Sequence, residues 1–190
     1  MTIALVQSKS ATFGAVYATS IAVTFDSAVT GGGHGIGNVF TEPSIDQTHI
    51  YVCIHMKVNA GYTWHEISNK FFNISGPVAG GSYINSVVQL YESGYWLPLN
   101  ELGSPTIWAT PQINTPITTG DWHRFEILMD LPTGVFKAWH DGVLVNNQSG
   151  LPYQLTSIVT LGINAFRGGG EEDGLWPGGD WYYDELTVAW

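Results

Sequence analysis

The chain has 190 residues, enough for one good core, and is expected to form a single domain over residues 1–190. Charged residues make up only 12% while glycines number 23, a balance that suits a sheet protein with long loops and excludes a disordered chain. Six Lys plus Arg leave a net charge of -10, which excludes nucleic acid as a partner and disfavours polyanions, since phosphate binding draws its affinity from basic side chains.

Residues 2–7 and 16–25 predict two strands joined by a polar turn, with Ile21, Val23 and Phe25 alternating as a half-buried strand requires. The glycine-dense stretch 31–37 then predicts a loop, because no helical pattern follows that would turn it into a phosphate cradle. Residues 1–45 are therefore expected as an N-terminal docking hairpin or arm with a glycine-rich connection. From 50 to 58 the alternation is clean, with Val52, Ile54, Met56 and Val58 on one face and Tyr51, Cys53, His55 and Lys57 on the other. Cys53, the single cysteine, cannot form an intramolecular disulfide and is expected as a small buried hydrophobe.

Further strands are predicted at 70–74 and 83–91, the latter with Ile84, Val88 and Leu90 inward and Tyr83, Asn85, Gln89 and Tyr91 outward. Pro98, Pro105, Pro111 and Pro116 predict loops and short edge strands over 95–119. Strands resume at 121–129, 134–140 and 143–146, the last two joined by an Asp141-Gly142 turn, and continue at 158–166 and 181–189. No helical periodicity exceeds about two turns. The expected architecture is all-β, two antiparallel sheets packed face to face. No apolar run reaches the length of a membrane span, and the N-terminus lacks the basic region, apolar stretch and cleavage site of a secretory signal, so export without such a signal is expected.

Three stretches carry a resemblance: the strand and loop from Tyr51 through Ala60-Gly61-Tyr62-Thr63-Trp64 to Gly76, the hairpin from Trp122 to Val145, and Ala165-Phe166-Arg167-Gly168-Gly169 followed by Trp176-Pro177 and the closing Tyr182-Tyr183-Asp184 strand. Together they resemble the concanavalin A-like lectin and glucanase superfamily, and within it the jelly-roll domains of polysaccharide lyases and their non-catalytic phage and environmental relatives. The resemblance implies a concanavalin A-like jelly-roll sandwich. It does not by itself imply an activity, because this superfold hosts lectins, hydrolases, lyases and structural modules.

For a lyase, β-elimination on a uronate needs a group to neutralise the carboxylate, a base for the C5 proton and an acid for the leaving oxygen. The candidates are His55, Tyr83, Gln89, Tyr91 and Arg167. A ligand-binding face is expected from Tyr51, Lys57, Asn85, Gln89, Tyr91, Lys137, Trp139 and Arg167, converging on one concave sheet. The Gln-Ile-His and Arg-x-x-x-Arg clusters of alginate lyases of this fold are missing, and Arg124 is expected to pack or pair structurally. A glycosidase needs two carboxylates facing the sugar; Asp184 and Glu185 are adjacent and are expected on opposite faces. Calcium is the one cofactor to consider, at Asp173 and Asp180, and otherwise none; the six histidines show no zinc-like spacing. Trp64, Tyr95, Trp96, Trp108, Trp176 and Trp181 are expected at loops where they could line a glycan groove, with Trp122 and Trp139 in the core.

The missing clusters favour a non-catalytic structural or adhesive module on a virion surface, a homo-oligomeric capsid decoration or fibre-associated protein that binds other assembly subunits or a glycan. A polysaccharide lyase is the alternative and a free lectin-like carbohydrate-binding module the second. Neither a nucleic-acid nor a membrane partner is expected.

Overall fold

The computed structural model describes the backbone of residues 2–6, 20–25, 34–42, 46–60, 69–90, 96–100, 115–167 and 179–190, with side chains described within 46–60, 72–82, 115–163 and 181–190. Every regular element among the described residues is a strand: β1 (Thr2–Val6), β2 (Ser20–Phe25), β3 (His34–Glu42), β4 (His49–Val58), β5 (Asn69–Pro77), β6 (Tyr83–Leu90), β7 (Trp96–Asn100), β8 (Trp122–Asp130), β9 (Val135–His140), β10 (Val143–Gln148), β11 (Thr160–Arg167) and β12 (Gly179–Ala189). They form a seven-stranded sheet in the order β1-β2-β12-β4-β8-β9-β10 and a five-stranded sheet in the order β3-β11-β5-β6-β7. All pairings are antiparallel. The expected β-sandwich is therefore the fold observed.

The alternating pattern works as the pleat demands. Ile50, Val52, Ile54, Met56 and Val58 of β4 are buried, and they pack in one core with Phe125, Ile127 and Met129 of β8, Phe136 and Ala138 of β9, and Trp181 and Tyr183 of β12. Phe72 and Ile74 of β5 with Leu161 and Ile163 of β11 supply the other wall of that core. Each such side chain contributes about 1.5–3 kcal/mol on burial, which fixes register because a one-residue slip would turn a whole row to solvent. Asp141 and Gly142 both have positive φ, 50° and 78°, the geometry of the tight turn expected between β9 and β10. Pro98 lies in β7, an edge strand, the place in a sheet where proline is tolerated.

The N-terminal segment differs from expectation. Rather than standing off as an arm, β2 pairs along β12 and β3 pairs along β11, so this segment contributes strands to both sheets. Gly35 and Gly37, expected in a loop, lie within β3, with Gly35 opposite Phe166; residues 31–33 lie outside the described residues. A partner strand more than a hundred residues away supplies the ladder, and such tertiary context overrides the weak strand preference of glycine.

Candidate functional site

The outer face of the seven-stranded sheet carries a grid of polar side chains around β4. Register places Tyr182, Lys57 and Trp122 in one row across β12, β4 and β8, then Asp184, His55 and Arg124 in the next. The following row runs Thr187, Cys53, Glu126 and Trp139, and the one beyond it Ala189, Tyr51, Leu128 and Lys137. These residues share a face because side chains on paired strands alternate in step.

Specific contacts hold the grid in shape. Arg124 Nη2 donates to Glu126 Oε2 at 2.9 Å, and its Nε points at Cys53 Sγ at 3.4 Å. The Tyr51 hydroxyl donates to the same carboxylate oxygen of Glu126, which is buried. Burial first, and then this hydrogen bond to Glu126, push the Tyr51 phenol up to about 12, so it stays a neutral donor. Hydrogen bonds with Cys53 and then Tyr51 push the Arg124 guanidinium above its ordinary value, fixing it as a permanent cation. The Lys57 ammonium lies between two rings, 5.0 Å from the centroid of Tyr182 and 5.3 Å from that of Trp122.

His55 is at the centre of this face. Glu185 Oε2 lies 3.0 Å from its Nδ1, within ion-pair range though off the line of an N–H···O hydrogen bond. A bulge brings Glu185 there: His55 pairs Asp184 and Cys53 pairs Thr187, so Glu185 and Leu186 together oppose Ile54, with Glu185 at φ 51°. Glu185 thus reaches the same side as Asp184, against the opposite faces expected of adjacent strand residues. Around His55, Lys57 and Arg124 offset Asp184 and Glu185. With Lys137 they place half of the chain's six Lys and Arg on one sheet face, where the overall charge of -10 would predict repulsion of an anion.

Of the expected site residues, Tyr51, His55, Lys57, Lys137 and Trp139 are brought together on this face. Tyr83, Asn85 and Gln89 are not, because β6 belongs to the five-stranded sheet; Arg167 ends β11 in that sheet too, opposite His34 and Asn69. Alternation within a strand assigns a residue to one side of its own sheet but carries no information about which sheet the strand joins. Tyr91 and Asp173 lie outside the described residues, and Asp180 is described only as a backbone partner of Thr24. Two tryptophans exchange roles: Trp181 is fully buried in the core, whereas Trp122 is 43% exposed on the outer face. Trp139 also faces outward, half-buried opposite Glu126. Arg124, expected only to pack or pair structurally, does pair with Glu126 and also stands on this face beside His55. Its outward parity within Trp122–Asp130, beside the buried Phe125 and Ile127, was the available signal.

No protein-family model matches the chain, and no curated protein matches it. Solved structures do. The alginate lyase Aly36B, in complex with an alginate trisaccharide, matches with a TM-score of 0.61 at 14% identity, covering 90% of this chain and 83% of that one. The alginate lyase vAL-1 from a Chlorella virus matches with a TM-score of 0.61 at 11% identity, covering 98% and 90%. The fold is that of the alginate lyase jelly rolls. A third lyase of that fold, the marine PL-14 enzyme from Aplysia kurodai, matches with a TM-score of 0.60 at 8% identity over 92% and 83%. These neighbours are named as lyases, a finding that runs against the expectation of a non-catalytic structural or adhesive virion module.

Proposed function

We infer that the chain is a polysaccharide lyase that cleaves a uronate-containing glycan by β-elimination on the outer face of the seven-stranded sheet. The observation that carries this reading is the cross-strand pair of His55 and Arg124, an imidazole beside a half-exposed permanent cation, in a fold whose solved relatives include alginate lyases. A guanidinium has five N–H groups, and Cys53, Glu126 and Tyr51 engage part of this set. The remainder can grip a uronate carboxylate, where neutralising its charge stabilises the carbanion that forms at C5.

His55 takes the C5 proton as general base, with Glu185 beside its Nδ1 to hold the ring and balance the positive charge it gains. The C4–O bond then breaks as the C4=C5 double bond forms, and the leaving oxygen takes its proton from Tyr182, one row along the same face. Trp122 and Trp139 flank this line and offer flat surfaces on which sugar rings stack.

The test is a panel of mannuronate, guluronate and glucuronate polymers with a neutral glucan, followed by the ultraviolet absorbance of unsaturated uronate ends. The expected result is product from at least one uronate and none from the glucan, reduced more than about a hundredfold by His55→Ala or Arg124→Ala in variants that remain folded by circular dichroism. Absence of product across the uronates, or full turnover in both variants, overturns the reading.

A further inference from the structure

On the inner side of the same sheet, at the end where β8 begins and β9 finishes, three ligand-type atoms converge. His123 Nδ1 lies 2.9 Å from His140 Nε2 and 2.8 Å from Asp141 Oδ2, and His140 Nε2 lies 3.3 Å from that same oxygen. His140 is fully buried and His123 nearly so. Phe125 stacks on the His140 ring at 4.8 Å between centroids and fixes its orientation.

The opposite ring nitrogens decide where the protons sit. His123 Nε2 is 3.1 Å from the Thr118 carbonyl oxygen and 3.0 Å from Thr118 Oγ1, and Thr118 Oγ1 is itself 3.1 Å from Asp121 Oδ2 as donor. His140 Nδ1 is 3.2 Å from the Thr115 carbonyl oxygen. A carbonyl only accepts, so each of these nitrogens carries the ring's proton and donates it. The lone pairs of His123 Nδ1 and His140 Nε2 are thereby turned toward each other and toward the Asp141 carboxylate. With both rings neutral, three acceptors meet with no hydrogen between them, an arrangement that repels itself unless a proton or a metal cation fills it.

We propose that His123, His140 and Asp141 form a binding site for one divalent transition-metal cation of the zinc type. Two imidazoles and one carboxylate suit zinc-like ions, whereas calcium takes six to eight oxygens. Ligands about 2.0–2.1 Å from a tetrahedral ion stand roughly 3.3 Å apart, so the present separations need to open by only a few tenths of an ångström. The outer contacts are already in place: the Thr118 and Thr115 carbonyls hold the rings, and Asp141 Oδ1 accepts the Arg124 N–H at 2.7 Å. The half-exposed Asp141 turns the fourth position toward solvent. The ion would fasten the start of β8, the end of β9 and the β9–β10 turn behind Arg124. The cluster draws on side chains that the lyase reading does not use, so either can fail alone.

The experiment strips the intact chain with a chelator and titrates it with Co²⁺, then with Zn²⁺. The expected result is one equivalent of Co²⁺ with the visible absorption of a four-coordinate nitrogen and oxygen site, its displacement by Zn²⁺, and a rise in Tm on adding Zn²⁺. His140→Gln and Asp141→Asn should each weaken binding more than about tenfold. Should the buried His140 variant fail to fold, Asp141→Asn decides alone, since asparagine tolerates the positive φ of the turn and keeps an oxygen for the Arg124 N–H. A chain that takes up neither ion, or an Asp141→Asn variant that binds as tightly as the parent, overturns the proposal.

Discussion

Glu185 Oε2 stands 3.0 Å from His55 Nδ1 only because β12 carries a bulge; in a regular strand Glu185 would follow Ile54's parity into the core. The extra residue, with Glu185 in the left-handed region at φ 51°, re-aims a carboxylate onto the outer face beside the imidazole. Bulges that redirect one side chain are a recurrent device next to active sites, and here the redirected group meets the residue assigned as base.

Glu185→Asn separates the backbone role from the carboxylate. Asparagine tolerates the left-handed conformation, so the bulge and the fold persist, with stability within about 0.5 kcal/mol of the parent. The shorter, uncharged side chain no longer balances His55, and turnover of the uronate substrate is expected to fall about tenfold. Parallel denaturant unfolding and initial-rate measurements check both halves. A variant of unchanged activity would remove Glu185 from the mechanism.

Alkaline stability follows from Tyr51. Its folded-state phenol is raised to about 12 against an unfolded value of about 10, through burial first and the Glu126 hydrogen bond second. A raised acid binds its proton more tightly in the folded chain, so its contribution is complete below about pH 10 and is lost as pH rises toward about 12. Tyr51→Phe should flatten that alkaline limb of the stability profile, measured by urea unfolding at successive pH values. Tyrosinate absorbance should show one late-titrating phenol fewer in the variant than in the parent, where burial also raises Tyr153.

The two exchanged tryptophans predict opposite substitution effects. Trp181→Ala empties a fully buried core position and is expected to cost about 3–5 kcal/mol. Trp122→Ala removes a ring that is 43% exposed and rests against Lys57 at 5.3 Å, with an expected cost under about 1 kcal/mol. Its effect should appear in KM for a glycan substrate instead. Equal destabilisation by the two changes would return Trp122 to the core.

The candidate site shows how far a sequence carries the argument. The two-residue period from Ile50 to Val58 correctly separates the core-facing Val52, Ile54 and Met56 from Tyr51, His55 and Lys57, because the pleat makes facing a local property. The same logic applied to Tyr83, Asn85 and Gln89 gives their strand but not their sheet. Arg124 was legible as an outward residue in Trp122–Asp130, yet nothing local says that His55 is the residue across from it.

By itself the sequence determined most of the strands, though not β3, together with the Asp141-Gly142 turn, the all-β class and the edge position of the strand holding Pro98, since each follows from the conformational preferences of a few neighbouring residues. Only the tertiary structure decided what meets what. Pairing of β4 with β8 and β12 set Arg124 and Asp184 beside His55, and pairing of β8 with β9 brought His123 to within 2.9 Å of His140, though 17 residues separate them in the chain. Strand order is fixed by the burial of whole faces against one another, a sum over distant residues that no short window of sequence contains.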